Sequence, residues 1–577
     1  MPSCHYSLSS FCKRDSSVHT VIPRSFLTRF TFTVCFLCVG TMLFAQANSA
    51  TEPRKEKMDW NQPIAVASIA GLDRVMEDID YLFETVQKPE YPAMIKGFLA
   101  QYRNLAGLDR TKPLGVFVFL SEGISPQPTV IGFVPVKDLD ELTKTLGEVG
   151  FLLAPVEGKA DRYTLALPTF SLHIKMAHGY AFLQITSEAL DRDFYNPDNY
   201  TSALAKEYDI AGSLLLGNVP EPMRMMAVDL ASAKIDEQLA RKPGENDIRY
   251  RSRKETTLFL LKQFEIISQD GDNLTIGYSL SKKDKQIRLN LGVTAKPGSQ
   301  LGKELEQLST STSQYAWLTA DSADFLGYSV LPLRKEVEQK AILDLIEQSQ
   351  SNIPPILLGD DSNPGPVSKM LDSVKATIRS GKLDSHIQMQ LTSKGKPALI
   401  AALKLTEGAA FKQGLQDLFE LMKQAEDTQG IEANVAEVDG ITIHKIVPKD
   451  LKKGANEFFG ENPVIFIGCG SDECWLAMGE AESLDLLKKA ISSRKTNGNR
   501  SQSGSAFLIS LKLASILPLA EENAKNEEFM ESAKVAFASG GDLLTFYPKI
   551  TANQASLNLE LGEGFIRLIS LAIANRK

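Results

Sequence analysis

Few side chains in this sequence could do covalent or coordination chemistry, and Cys469 and Cys474 come first among them. They flank Gly470-Ser471-Asp472-Glu473 between two strand-like runs, Val464 to Gly468 and Trp475 to Met478. A hairpin with a four-residue loop would bring the two Cβ atoms within reach of a disulfide, provided they are opposed on one face. A free thiol pair and half of a metal site are the competing readings. The metal reading lacks ligands, because the other four of the six cysteines (Cys4, Cys12, Cys35 and Cys38) all precede residue 50.

Beyond residue 50 the histidines are His173, His178, His386 and His444. None has a second ligand at zinc spacing, so they read as polar residues of strands or turns. There is no Gly-x-Ser-x-Gly elbow for a serine nucleophile. The Ser-x-x-Lys spacing occurs at Ser279–Lys282 and at Ser393–Lys396, both at expected hairpin turns instead of the helix start that chemistry needs. Gly298 to Lys303 is one residue short of a P-loop and reads as the start of a helix from Gln300 to Leu308. The acidic loop Gly359 to Asn363 offers oxygen ligands for calcium but lacks the EF-hand spacing and terminal Glu, which leaves a solvated loop. Asp78/Asp80 and Asp138/Asp140 read as helix caps or solvent faces. Asn199, Asn273 and Asn499 head glycosylation triplets, relevant only in a eukaryotic source. No catalytic, cofactor-binding or metal-ligating residue is assigned, and the sequence favours a non-enzyme.

The elements that would position these residues recur. Pro128 to Leu142 is a strand followed directly by a helix, and Pro397 to Phe411 repeats the pattern. Leu172 to Leu190 and Val464 to Leu484 are each strand, polar turn, strand and a Ser-Glu-Ala-Leu or Ala-Glu-Ser-Leu helix start. Ser213 to Pro220 matches Ala506 to Leu513, and Leu289-Asn290-Leu291 matches Leu557-Asn558-Leu559. Four matches in one order point to a tandem duplication, residues 60–310 and 311–577. Helices are expected over Leu72–Val86 and Tyr91–Leu105 with a break at Pro92, over Met223–Leu239, and over Glu255–Phe264. Strands Leu274–Leu280 and Gln286–Val293 alternate apolar and polar residues across the turn Lys282–Lys285, as a hairpin with one wet face does. Helices packed on one face of mostly antiparallel sheets make an α+β fold. Each copy divides into two subunits: 51–200 and 201–310, then 311–495 and 496–577. Ile353–Pro366 reads as an inserted loop and Lys495–Gly504 as a flexible linker.

The first 50 residues read as an export signal. Lys13, Arg14, Arg24 and Arg29 precede an apolar stretch from Phe30 to Phe44, followed by small-x-small cleavage sites ending at Ala47 and Ala50. That stretch is too short to span a bilayer, and no later apolar run does so; a retained N-terminal anchor is the alternative. The chain carries a formal charge of −8; the leader's net +3 leaves −11 on the remainder, which argues against a nucleic-acid partner.

The units at Tyr180–Leu190 and Trp475–Leu484, with Phe507-Leu-Ile-Ser-Leu-Lys-Leu513 after them, make the chain resemble exported bacterial proteins with duplicated α+β domains of unknown function. The resemblance implies a fold and a periplasmic or extracellular location, and carries no functional residue. The expected function is a non-catalytic envelope protein that binds a protein partner or an apolar small molecule. A hydrolase with dispersed catalytic groups and a purely structural protein are the alternatives. A ligand carrier should hold a dry apolar cavity between sheet and helices, and a partner-binding scaffold should instead expose an apolar patch.

Overall fold

The computed structural model describes residues 59–577, apart from 124–125, 321, 334–338, 351–352, 361, 425–429, 449–455, 457, 498–505, 522–526 and 575–577. The leader, with Ala47 and Ala50, lies outside the described residues.

The described chain opens with β1 (Ala65–Ile69), α1 (Leu72–Glu84), α2 (Glu90–Gln101), β2 (Leu114–Leu120) and β3 (Pro128–Pro135). Helix α3 (Leu139–Glu148) follows, then β4 (Leu153–Val156), β5 (Lys159–Ala166), β6 (Ser171–Ala177) and β7 (Tyr180–Gln184). After α4 (Asp198–Glu207) and β8 (Ile210–Leu214) come α5 (Glu221–Gln238) and α6 (Asp247–Asp270). The hairpin β9 (Gly271–Ser281) and β10 (Gln286–Ala295) leads to α7 (Gln300–Ser309).

The remainder begins with β11 (Phe325–Pro332), α8 (Lys340–Gln350), α9 (Pro355–Leu358) and α10 (Pro366–Arg379). Next are β12 (Lys382–Leu391), β13 (Pro397–Lys404), α11 (Gly408–Gln424), β14 (Ile431–Val438) and β15 (Ile441–Ile446). Strands β16 (Val464–Cys469) and β17 (Glu473–Gly479) precede α12 (Ser483–Asn497), β18 (Phe507–Lys512), α13 (Leu513–Glu521) and α14 (Glu527–Phe537). The described chain closes with β19 (Leu543–Ile550), β20 (Gln554–Gly562) and α15 (Glu563–Ala574).

The fold is α+β, with all strands in one antiparallel sheet. From one edge the first ten run β4-β5-β6-β7-β3-β2-β1-β8-β9-β10. From the opposite edge the last ten run β14-β15-β16-β17-β13-β12-β11-β18-β19-β20. The two series meet where β10 pairs with β20, Asn290 opposite Asn558.

Alternation sorts the side chains onto two faces. Phe117, Ile131, Phe133, Tyr180 and Phe182 lie on one, the aromatic face, under Leu190, Phe194 and residues of α4. In the other series the same face carries Tyr328, Ile400, Phe466 and Trp475, under Tyr315–Leu318 and Leu487, Ala490 and Ile491 of α12. On the opposite, aliphatic face α1 and α15 cover Leu280 and Ile287, while α6 and α7 cover Val293 and Ala555. Ser299 caps α7, its Oγ accepting from the Gly302 N–H at 3.1 Å, so the glycine-rich stretch starts a helix as its sequence indicates.

Several expectations need correction. The break between α1 and α2 falls at Thr85–Pro89; Pro92 sits in the first turn of α2, where a missing N–H costs nothing. Helix α6 spans 24 residues, not the ten from Glu255, because its opening turns are charged and show no apolar period. The Ile353–Pro366 loop contains α9, and Pro366 itself opens α10. Residues 495–497 end α12 and are not linker; the rest of that segment lies outside the described residues. The subunit boundaries at 200 and 495 fall inside α4 and α12, and the sheet continues across both.

The hairpin β9–β10 shows the most consequential difference. Its polar side was expected to be the wet one. Pairing with β20 instead buries Asn290 and Asn558, whose amides bond at 2.9 Å, and leaves apolar side chains exposed.

Candidate functional site

Those exposed side chains form a row. Val116 on β2 opposes Ala67 on β1, which opposes Gly212 on β8. Gly212 opposes Ile276 on β9, which opposes Leu291 on β10. Directly opposed residues share a face, so the row crosses five strands on the aliphatic side. Ile276 is 64% and Leu291 55% exposed, and on the same face Val130, Ile210 and Leu289 are also exposed. The helices stop on either side: Tyr81 and Ile566 cover one end of these strands, Ile266 and Leu301 the other. Over Gly212 the Ile276 side chain leans in, so that a Cβ there would stand 3.2 Å from it. Single exposed apolar residues are ordinary, and a contiguous band of them is the kind of surface that can dock a partner.

A cleft of about 610 Å³ opens elsewhere, between α11 and two hairpin turns. Lys412, Gln413 and Gln416 line it on one side, Asp439 and Ser471–Glu473 on the other. It is polar, and it is not the dry cavity a carrier of apolar molecules needs. Its Ser471–Glu473 wall is the loop between the two cysteines. Cys469 and Cys474 are directly opposed, Cα atoms 4.2 Å apart with their sulfurs bonded, and the Gly470 N–H donates to the Glu473 carbonyl at 2.8 Å.

A third constellation joins α1 to β8 and β9. Asp209 is buried, pairs with Arg74 and accepts the Leu280 N–H at 2.6 Å. Asp78, expected on a solvent face, is half-buried beside it; burial first, then the Asp209 charge, pushes its carboxyl up to about 7, with Arg74 opposing. Asp80 does face solvent, bonded to Lys96 at 2.6 Å. The folded chain therefore keeps the Asp78 proton up to about pH 7, whereas the unfolded chain loses it near pH 4. The native state binds more protons across that window, so stability falls as pH rises through it. Asp78→Asn is expected to flatten this dependence and to raise the urea midpoint at about pH 8 more than at about pH 5. Equal shifts at both values would remove Asp78 as its source.

The histidines are dispersed. His178 bonds the Phe194 carbonyl at 2.8 Å from a turn, and His444 stacks on Phe419 at 4.6 Å. His386 is buried with Nε2 3.2 Å from Gln388 Oε1, and burial holds it down at about 4. His173 lies on β6 opposite Gln184. Ser279 sits in β9, while Lys282 pairs with Glu84 at 2.6 Å. Ser393 Oγ donates to Glu482 at 2.8 Å. In the acidic loop Asp360 Oδ1 accepts from Ser362 and Asn363 of its own turn, which holds its carboxyl below the usual range. Among the described residues no group of three or more His, Cys, Asp or Glu could hold a metal ion, and no helix is long and apolar enough to cross a membrane.

No protein-family model matches the chain, and the searches of curated proteins and of solved structures likewise returned no match.

Proposed function

We propose that this chain is an exported, non-catalytic binding protein that holds a protein partner on the apolar row of Val116, Ile276 and Leu291. The exposure of that row carries the reading. An open band suits a partner's apolar surface better than a small molecule, which gains most from enclosure. Its residues come from β1, β2 and β8–β10, so the first ten strands would carry the interface. We also propose that the two strand series arose by tandem duplication; their identical order of pairing supports this, together with the repeated Leu-Asn-Leu of β10 and β20. Export rests on the small-x-small sites at Ala47 and Ala50, and the opposed Cys469 and Cys474 fit an oxidising compartment.

Native mass spectrometry of the chain purified from its own host without detergent tests these points together. The polypeptide is expected to start after Ala47 or Ala50, to be two hydrogens lighter than the dithiol, and to carry a protein-sized partner. Ile276→Asp with Leu291→Asp should abolish that partner; the two carboxylates stand directly opposite across β9 and β10, so a cost of about 1–2 kcal/mol is expected, with circular dichroism showing the fold retained. A bound mass of a few hundred daltons would replace the protein partner by a small ligand. A partner retained by the double variant would place the interface elsewhere.

A further inference from the structure

Helix α5 buries little of its surface. Among the described side chains of α5 only Val228 is buried. Arg224 ties the base of the pair, donating to the Ser268 and Gln269 carbonyls at 2.9 and 3.0 Å. On the side of α5 away from Val228, Met226, Leu230 and Lys234 follow at four-residue spacing, one stripe along the helix. Met226 is 53% and Leu230 58% exposed.

The stripe runs toward a basic tip. Between Leu239 and Glu255 stand Arg241, Lys242, Arg249, Arg251, Arg253 and Lys254 against Glu245, Asp247 and Glu255, in a chain of net charge −8. Glu245 organises this turn. Its carboxylate accepts from Arg253 Nε and Nη2 at 2.9 and 2.7 Å and from the Lys242 N–H at 3.1 Å, and its carbonyl accepts from Arg241. Glu245 is thereby engaged, and Lys242 and Lys254 are exposed. Apolar anchors in line with cations on an exposed helix match a phospholipid interface, where acyl chains take the first and headgroup phosphates the second. A nucleic acid would use the cations and leave Met226 and Leu230 in water.

We propose that the α5–α6 hairpin docks peripherally on an anionic phospholipid surface, with Met226 and Leu230 entering the interface and Lys242 and Lys254 meeting headgroup phosphates. Vesicles of phosphatidylglycerol and phosphatidylcholine, against phosphatidylcholine alone, test it by co-sedimentation of the full mature chain. Binding is expected to the anionic vesicles, to weaken with salt, and to be absent on the neutral ones. Lys242→Glu with Lys254→Glu should weaken it by about thirtyfold or more. Met226→Asp with Leu230→Asp should also lose it; all four side chains are exposed, so circular dichroism should be unchanged. Ile276→Asp with Leu291→Asp should leave vesicle binding intact, which separates this surface from the apolar row. Equal binding to neutral vesicles, no binding to either kind, or unchanged binding by the charge variant would overturn the proposal. So would binding to single-stranded RNA without binding to vesicles.

Discussion

Trp475→Ala should destabilise the chain by about 3–5 kcal/mol, the largest loss from any single side chain considered. Trp475 is 1% exposed on β17, at the centre of a cluster with Tyr315, Leu326, Ile400, Phe466 and Leu487. Its ring meets Tyr315 edge-on at 6.0 Å and His386 at 5.6 Å. Truncation removes those contacts and opens a cavity that sheet strands on one side and α12 on the other cannot close. Urea unfolding followed by far-ultraviolet circular dichroism measures the loss. Trp475→Phe should cost much less, because the buried indole Nε1 has no hydrogen-bond partner among the described residues and Phe fills most of the same space. A loss below about 1 kcal/mol for the alanine variant would show that this cluster does not hold the second series of strands together.

Asp209→Ala is expected to cost about 2–3 kcal/mol. The carboxylate does the work of a missing strand neighbour: where β8 begins, Asp209 Oδ2 accepts the Leu280 N–H at 2.6 Å, and its backbone bonds Ala70 and Tyr278 on either side. Removing it leaves the buried Leu280 N–H without an acceptor. Arg74, about a third exposed, can turn to water, so the pair's loss adds less than a fully buried pair would. Asp209→Asn keeps an acceptor oxygen and should recover more than half of the loss. It should also lower the Asp78 carboxyl by removing a neighbouring negative charge, moving the pH-dependent window toward acid. If Asn and Ala variants unfold at the same urea concentration, the Leu280 bond is not the source.

Local patterns were legible and distant partners were not. The β9–β10 hairpin could be read from alternation and the Lys282–Lys285 turn, and the start of α7 from Ser299 ahead of a helical run. Alternation says that a strand has two faces; it does not say which one a helix will cover. That depends on β20, 268 residues beyond Asn290 at Asn558, and on where α6 and α15 end. The apolar row was therefore hidden in strands whose exposed side was assigned by polarity. Asp209 was missed for the same reason, its partner Arg74 being 135 residues away. Cys469 and Cys474 could be read because their partnership is local, five residues across one turn.

The junction of β10 with β20 has a further meaning. Leu289 opposes Leu559 and Leu291 opposes Leu557, so the register is symmetric about the Asn290–Asn558 pair. Each series thus ends in an edge that is complementary to its own sequence read in reverse, the isologous geometry by which separate subunits form two-fold dimers. A folded chain ending at residue 310 would expose that edge and join a second copy through Asn290, giving twice its own mass in sedimentation. In the intact molecule the covalent link holds β10 and β20 in one chain, so their pairing is independent of dilution, and the sheet's edges fall at β4 and β14.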